Sequence, residues 1–236
     1  MHQENLQRLS DLKLDSNARD FLVMHYLIPD LKMVIEEHAS GKVLDIGCGN
    51  KPYEILFDGK VSEYIGCDVV QSDKNKVDVI CPATDLLFQN ETFDTVFSTQ
   101  VIEHVDDPFK MLSESNRVLK NGGKMIISAP FTWELHEQPH DYYRYTKYGL
   151  KAMLEKNKFE VLLIKPNGGK WSAITQMNIN MIYSSFGRKS LVTRMMKGLF
   201  TKLRFTALFN KWALRKDRKD FDDLLTLNYV VVAQKL

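Results

Sequence analysis

Val43-Leu44-Asp45-Ile46-Gly47-Cys48-Gly49-Asn50-Lys51-Pro52-Tyr53 is the stretch that decides how the chain is read. Val43 to Ile46 has the composition of a short buried strand, interrupted by one acid. Gly47-Cys48-Gly49 follows, and then a helix-compatible run. Strand, glycine turn and helix together bring backbone N–H groups up to a bound nucleotide or nucleoside. The glycines admit positive φ and leave room for a ligand against the main chain. Asp45 stands two residues before the first glycine, giving D-x-G-x-G. A dinucleotide fingerprint would read G-x-G-x-x-G and needs no such acid, which disfavours an NAD-dependent oxidoreductase.

Further motifs follow in order. Tyr64-Ile65-Gly66-Cys67-Asp68 reads as a second strand ending in an acid. Phe93 to Ser98 gives a fourth-strand pattern, followed by Val101-Ile102-Glu103-His104-Val105. Arg117-Val118-Leu119-Lys120-Asn121-Gly122-Gly123-Lys124 leads into the strand Met125 to Ser128. From Val43 to Pro130 the expected order is strand, helix, strand, short helix or loop, strand, helix, strand, helix, strand. Such alternation implies a parallel sheet with helices on both faces. Ligands of such sheets bind at the carboxyl ends of the strands, near the switch in strand order. Asp45–Gly49, Asp68, Ala83–Asp85 and Ser98–His104 all fall at strand ends and can converge there.

This set resembles the class I S-adenosylmethionine (SAM)-dependent methyltransferases, in particular the type 11, quinone-biosynthesis-like group, from about Lys42 to Val161. The resemblance implies an α/β, Rossmann-like fold: a seven-stranded mixed sheet with strand 7 antiparallel and helices on both faces. It implies SAM as cofactor and S-adenosylhomocysteine as product. Asp45 would lie under the methionine end, holding the glycine loop and reaching the ammonium group. Asp68, beside Val69, would hold the ribose. Gly47, Cys48 and Gly49 would form the loop, and Thr99 and Gln100 would complete the cofactor wall. Ala83, Thr84 and Asp85 would serve the adenine, with Pro82 in place of the family's usual acid. The third glycine of the motif is missing, its turn being Lys51-Pro52. Glu103-His104 recurs in the family beside the transferred methyl, and His104 reads either as a general base or as a cap on its loop. Some quinone O-methyltransferases use Glu-x-x-Glu-His as metal ligands. Here Gln100 replaces the first acid, and a neutral amide suits a hard divalent cation poorly, so no metal is expected.

After the fifth strand, Phe131 to Thr146 crowds aromatics, acids, two histidines and an arginine into one aperiodic run. That suits a ligand-facing loop. His136 and His140 are the base candidates, because an imidazole can take a hydroxyl proton near neutral pH. Asp141 could serve as base or orient an imidazole. Arg144 could bind an anionic substrate group. Trp133, Tyr142, Tyr143 and Tyr145 would complete the substrate side. The segment PHDYYRYT resembles methyltransferases found among bacterial cell-surface glycan enzymes. Thr146 is an N-cap candidate for a helix whose apolar face is Tyr148, Leu150, Met153 and Leu154.

The flanks complete the chain. Residues 1–41 read as a helical cap: Leu6, Leu9, Leu12 and Leu14 are loosely periodic, Pro29 marks a break, and Leu31, Val34 and Ile35 share a face up to Gly41. Residues 42–165 form the SAM-binding core, ending in a sixth strand from Phe159. Residues 166–226 are a helical insertion between strands 6 and 7, and 227–236 the final strand. Within the insertion, Leu191, Val192, Met195, Met196, Leu199, Phe200 and Leu203 suit one amphipathic helix. Phe205, Leu208, Phe209 and Trp212 suit a second in shifted phase. Residues 186–220 hold eleven Lys or Arg against two Asp, so this segment carries +9 and the remainder −7, from a net +2. The insertion reads in three ways: a lid or homodimer contact, a contact with an anionic membrane surface, or nucleic-acid binding. No RNA module accompanies it, so no nucleic acid is expected.

At 236 residues, 44% hydrophobic and 26% charged, the composition is that of a soluble globular protein. No apolar run is long enough to cross a bilayer, and the polar N-terminus lacks a signal core, so a cytoplasmic location is expected, with inner-membrane contact open. Cys48, Cys67 and Cys81 match no zinc spacing and read as small core residues. The expected activity is methyl transfer to a small-molecule or glycan acceptor, at oxygen. C- or N-methylation of a quinone-type metabolite, and a SAM-binding assembly module without turnover, are the alternatives.

Overall fold

The computed structural model describes residues 14–185 and 191–236. Its centre is a seven-stranded sheet: β1 (Lys42–Ile46), β2 (Glu63–Asp68), β3 (Val79–Ile80), β4 (Phe93–Thr99), β5 (Leu119–Pro130), β6 (Phe159–Asn167) and β7 (Asn228–Lys235). The order across the sheet is β3-β2-β1-β4-β5-β7-β6. Strands β1 to β5 run parallel, and β7 is antiparallel to both β5 and β6. This is the mixed sheet that the motifs imply. Leu6, Leu9 and Leu12 lie outside the described residues, and Leu14 is exposed.

Strand pleating sends alternate residues to opposite faces. Leu44, Val96, Met125, Ile127, Val231 and Ala233 pack on one side. There they meet α2 (Pro108–Val118) and α3 (Lys147–Lys156), through Met111, Leu112, Val118, Leu150 and Leu154. Val43, Phe97, Ile126, Val230 and Val232 pack on the other. Their partners are Leu27, Leu31, Val34 and Ile35 of α1 (Phe21–His38), with Tyr53 and Phe57. Helices therefore cover both faces. Thr146 caps α3, its side chain accepting from Gly149 N at 3.0 Å.

Local readings differ from the structure at five places. Pro29 does not break α1, which runs unbroken from Phe21 to His38. A mid-helix proline costs about 3 kcal/mol; here Leu22 and Leu27 on one side of it and Leu31, Val34 and Ile35 on the other are all buried and offset that loss. No full helix follows the glycine loop: Lys51 has φ +53° before Pro52, and only a one-turn 3-10 helix, Glu54–Phe57, forms. Between β3 and β4 there is no helix either, only turns. Tyr148 is 74% exposed, leaving Leu150 and Leu154 as the buried face of α3. The insertion contains a third helix, α4 (Lys170–Ser185), ahead of α5 (Leu191–Lys202) and α6 (Phe205–Lys219).

The second basic helix, α6, turns its large apolar residues outward. The buried side of α6 is Thr206, Ala207, Asn210, Ala213 and Asp217, whereas Leu208, Phe209 and Trp212 are exposed. Small residues permit close approach to α4, and Ala173 and Ala213 join Phe21, Leu22, Val23 and Leu227 in one apolar cluster. Asp217 fixes the junction. Its buried carboxylate accepts from the backbone N–H groups of Gly169, Trp171 and Ser172 at 3.1, 3.1 and 3.2 Å, at the first turn of α4. A carboxylate here satisfies donors that the helix itself leaves unpaired. Asp217→Ala should lower unfolding free energy by roughly 2–4 kcal/mol in urea titrations, with Asp217→Asn intermediate.

Candidate functional site

The register of the sheet brings the carboxyl ends of β1, β2 and β4, the end of β5 and the start of β7 to one edge. Ile46 pairs with Cys67, Thr99 with Ser128, and Pro130 with Asn228. A cleft of about 410 Å³ opens there, at the switch between β1 and β4. That size suits a small-molecule cofactor or ligand.

One half of the cleft is built on the glycine loop. Gly47 has φ +74°, and a Cβ there would meet Val101 Cγ2 at 2.4 Å. The loop is held from β2: Gly47 N and Cys48 N donate to the Cys67 carbonyl at 2.8 and 3.1 Å, and Gly49 N donates to Asp68 Oδ2 at 3.1 Å. Val69 N donates to Asp68 Oδ1 at 2.7 Å. The loop-holding role expected of Asp45 therefore belongs to Asp68 and the Cys67 carbonyl. Asp45 is buried instead against Tyr64, whose hydroxyl donates to it at 2.6 Å. Burial pushes its carboxyl up to about 7, against the Tyr64 hydrogen bond and the Lys51 charge.

Asp45, Gly47, Cys48, Gly49, Asp68, Val69, Ala83, Thr84, Thr99 and Gln100 all line the cleft. Asp85 does not. It is exposed on a turn, its N–H donating to Pro82 O at 3.1 Å, and its side chain is not placed to meet an adenine in the cleft. Asn50, Tyr53, Cys81 and Pro82 line the cleft as well. The residues fit SAM. Two buried acids, Asp45 and Asp68, would take an ammonium group and ribose hydroxyls, and Val69, Cys81, Pro82, Ala83 and Val101 offer an apolar slot for a base.

The other half is walled by Val23, Met24 and Leu27 of α1, by Trp133, His136 and Glu137 after β5, and by His104 and Asp106 after β4. The His104 and His136 rings meet edge to face at 4.6 Å. His104 Nδ1 lies 2.6 Å from the His140 carbonyl, which makes Nδ1 the donor in that bond. His136 Nδ1 faces Asp141 at 3.3 Å and Arg144 at 3.4 Å. Burial first, and the neighbouring His104 second, push the His136 pKa down, so its imidazole is neutral at pH 7.

Several expected site residues do other work. Arg144 grips Asp141 through two bonds of 2.6 and 2.8 Å and donates to the Trp133 and Glu134 carbonyls, so it is committed to the loop and not to an anionic substrate. Asp141 is neither base nor cleft wall; it accepts from Arg144 and from His136 N at 2.9 Å. The His140 ring is exposed outside the cleft, and only its backbone carbonyl contributes. Tyr142 and Tyr143 are exposed outside it too, and Tyr145 is core, donating to Ile102 O at 3.1 Å. Of the loop, Trp133 and His136 face the cleft as expected, and Glu137 joins them.

Glu103 sits behind the imidazoles, fully buried, with no hydrogen-bond partner for either carboxylate oxygen. Burial pushes it up to about 8. Glu103, His104 and His136 each offer a donor atom within 4.8 Å of the others, a set able to hold a metal ion. Gln100, on which the expectation of no metal rested, turns away to Ser128 Oγ at 3.0 Å and is not part of the set.

Comparison with known proteins agrees with this geometry. Residues 44–127 match the family model described as a methyltransferase domain. Residues 44–127 thus carry a class I SAM-dependent methyltransferase domain. An uncharacterized protein of Methanocaldococcus jannaschii is 36% identical over 89 residues, 37% of this chain and 43% of that one. A ubiquinone biosynthesis O-methyltransferase of Idiomarina loihiensis is 27% identical over 127 residues, 47% of this chain and 52% of that one. The chain thus spans about half the length of the curated relatives it matches. Among solved structures, the [4+2]-cyclase SpnF superposes with a TM-score of 0.60 at 16% identity, over 94% of this chain and 85% of that one, a likeness of fold.

C-terminal to that matched stretch the Arg144–Asp141 clamp fixes how the post-β5 loop presents His136. Burial raises Asp141, but the Arg144 and His136 hydrogen bonds outweigh it and hold the carboxyl at about 2. Its stabilisation is therefore complete above the unfolded carboxylate range near about 4 and is lost as pH falls toward 2. Arg144→Ala leaves that charge buried and should cost roughly 2–4 kcal/mol at pH 7, read by thermal unfolding. The gap to wild type should shrink below pH 4.

Proposed function

We propose that this chain transfers the methyl group of SAM to an oxygen of a small-molecule or glycan acceptor. The observation that carries the reading is the pair of imidazoles, His104 and His136, fixed in the same cleft as the Asp45–Gly49 loop. When bound, SAM supplies an electrophilic methyl on a sulfonium. Asp68 holds the ribose and Asp45 faces the ammonium. An acceptor hydroxyl lies against His136, whose lowered pKa leaves it unprotonated and able to take the hydroxyl proton. His104, with Nδ1 held by the His140 carbonyl, lines the same space. The relative named for ubiquinone O-methylation supports oxygen as the target. Methylation at carbon or nitrogen, and cofactor binding without turnover, are the competing outcomes.

In the same proposal residues 1–41 cap the pocket, 42–165 and 227–236 form the core, and 166–226 form a separate basic helical unit. Exposed Leu208, Phe209 and Trp212 beside exposed Arg204, Lys211 and Arg215 support contact of that unit with an anionic membrane surface, or with a second copy of the chain. Among the described residues no helix is long and apolar enough to cross a membrane.

Label transfer from methyl-labelled SAM to an acceptor pool tests the reaction. His136→Ala should lower the rate by about 10²–10⁴ and leave S-adenosylhomocysteine affinity intact. Loss of cofactor binding in step with activity would refute the base role. The Asp45 contact has its own signature. With Asp45 raised to about 7 in the free protein, a cation bound beside it favours the ionised form. Cofactor affinity should therefore rise with pH up to about 7, by at most about tenfold per unit, and be flat above. Calorimetry should show that slope abolished in Asp45→Asn.

A further inference from the structure

We infer that the outward face of α5 and α6 docks on an anionic phospholipid bilayer, its apolar side chains entering the headgroup layer and its Lys and Arg meeting lipid phosphate. This rests on the reading of residues 166–226 as a separate basic helical unit and narrows its contact to one partner. The face consists of Met195 and Leu199 on α5, Leu203 in the turn between the helices, and Leu208, Phe209 and Trp212 on α6, all exposed. The two helices form one surface, because the Phe200 ring of α5 meets Phe205 and Phe209 of α6 at 5.4 and 6.3 Å. On α6 this face lies opposite the packed one. Thr206, Ala207, Asn210, Ala213 and Asp217 are buried, whereas Leu208, Trp212, Arg215 and Lys219 recur at helical spacing on the far side. That outward stripe is apolar in its first half and basic in its second.

Charge is the second observation. Helix α6 carries Lys211, Arg215, Lys216, Arg218 and Lys219 against one acid, Asp217, which is turned inward onto the first turn of α4. Among the described residues none of the five cations is in an ion pair. Lys216 lies instead over the Trp171 and Trp212 rings, at 5.5 and 6.0 Å. Cations beside large apolar side chains are what an anionic bilayer binds, and an indole suits the boundary between headgroups and acyl chains. A second copy fits this face less well, since an isologous contact sets the same cations against each other. A nucleic-acid backbone would pair with the cations but leave Leu208, Phe209 and Trp212 in water. The unit rests on Phe21, Leu22 and Val23 of α1, and Val23 also walls the cleft, so the docking unit and the acceptor half share one support.

The experiment sediments the full chain with vesicles of phosphatidylcholine alone, and of phosphatidylcholine mixed with phosphatidylglycerol, at low and high salt. Partition onto the mixed vesicles at low salt should be at least about tenfold stronger, and high salt should remove that preference by screening the charges. Leu208→Gln combined with Phe209→Gln keeps the charge and should weaken partition by at least about tenfold. Lys211→Gln combined with Arg215→Gln and Lys219→Gln should remove the preference for phosphatidylglycerol. Both variants change exposed positions, and circular dichroism on heating reports that they fold. Equal binding to the two vesicles, binding to neither, or binding unchanged in the Leu208→Gln, Phe209→Gln variant overturns the inference. A dimer in sedimentation velocity that this variant dissociates, or RNA binding, without vesicle binding overturns it as well; the dimer would leave the broader reading of an external contact in place, and a monomer that binds neither vesicles nor RNA removes both. None of these readouts uses label transfer, so the proposed reaction is tested apart from them.

Discussion

The Asp68 carboxylate holding Gly49 N–H ties the end of β2 to the loop after β1. Without that tie, and the paired donation of Gly47 and Cys48 to the Cys67 carbonyl, the loop would have no fixed path. The positive φ of Gly47 and Gly49 gives the backbone freedom, and Asp68 removes it again in one chosen conformation. The constraint propagates. Once the loop is pinned, Asp45 is sealed between it and Tyr64, and Val101 closes over Gly47 from the β4 side. The cleft is thus a consequence of strand register more than of any one side chain. Adjacent parallel strands end in step, so acids at their ends must share a volume.

What was legible in the sequence follows from this. Asp45, Gly47, Gly49 and Asp68 could be placed because each performs a backbone or charge task tied to strand ends, and strand ends are visible as apolar runs. Thr146 was visible because capping is local chemistry. The post-β5 loop was only half legible. Its titratable content announced a role, but a bidentate Arg–Asp pair and a substrate-binding Arg look alike in one dimension. Only the fold shows Arg144 turned onto Asp141 and two backbone carbonyls. Pro29 misled because propensity is a local cost, and tertiary burial on both sides of it exceeds that cost. The helix α4 escaped because WSAITQMNINMIYSS mixes polar and apolar residues on every face; Ser172, Gln176 and Asn180 are buried there, so no amphipathic pattern marks it.

That polar interior also accounts for the odd arrangement of the basic helices. With Gln176 donating to the Arg19 carbonyl and Asn210 to the Ser16 carbonyl, α4 and α6 attach to the N-terminal segment through hydrogen bonds as well as apolar contact. Large apolar side chains are not needed at that junction, and the sequence places them on the opposite side of α6. A hydrophobic-period reading marks α6 as amphipathic but does not say which of its faces is buried. The buried face is defined by small residues and by Asp217, which such a reading scores as solvent-facing.

The cleft itself is assembled from groups that folding alone would avoid. Asp45, Asp68 and Glu103 are all buried carboxylates, and burial raises the pKa of each. Asp68 recovers part of the cost from two backbone donors and Asp45 from one hydroxyl, whereas neither side-chain oxygen of Glu103 has a hydrogen-bond partner. Apolar residues of similar size would pack these positions with less penalty. Burial that lifts Glu103 to about 8 keeps it mostly protonated at pH 7, which is how the fold carries that group without a counter-charge. The uncompensated burial is smallest at Asp68, whose partners are already present, and greatest behind the imidazoles. That gradient runs from the glycine loop toward the post-β5 loop.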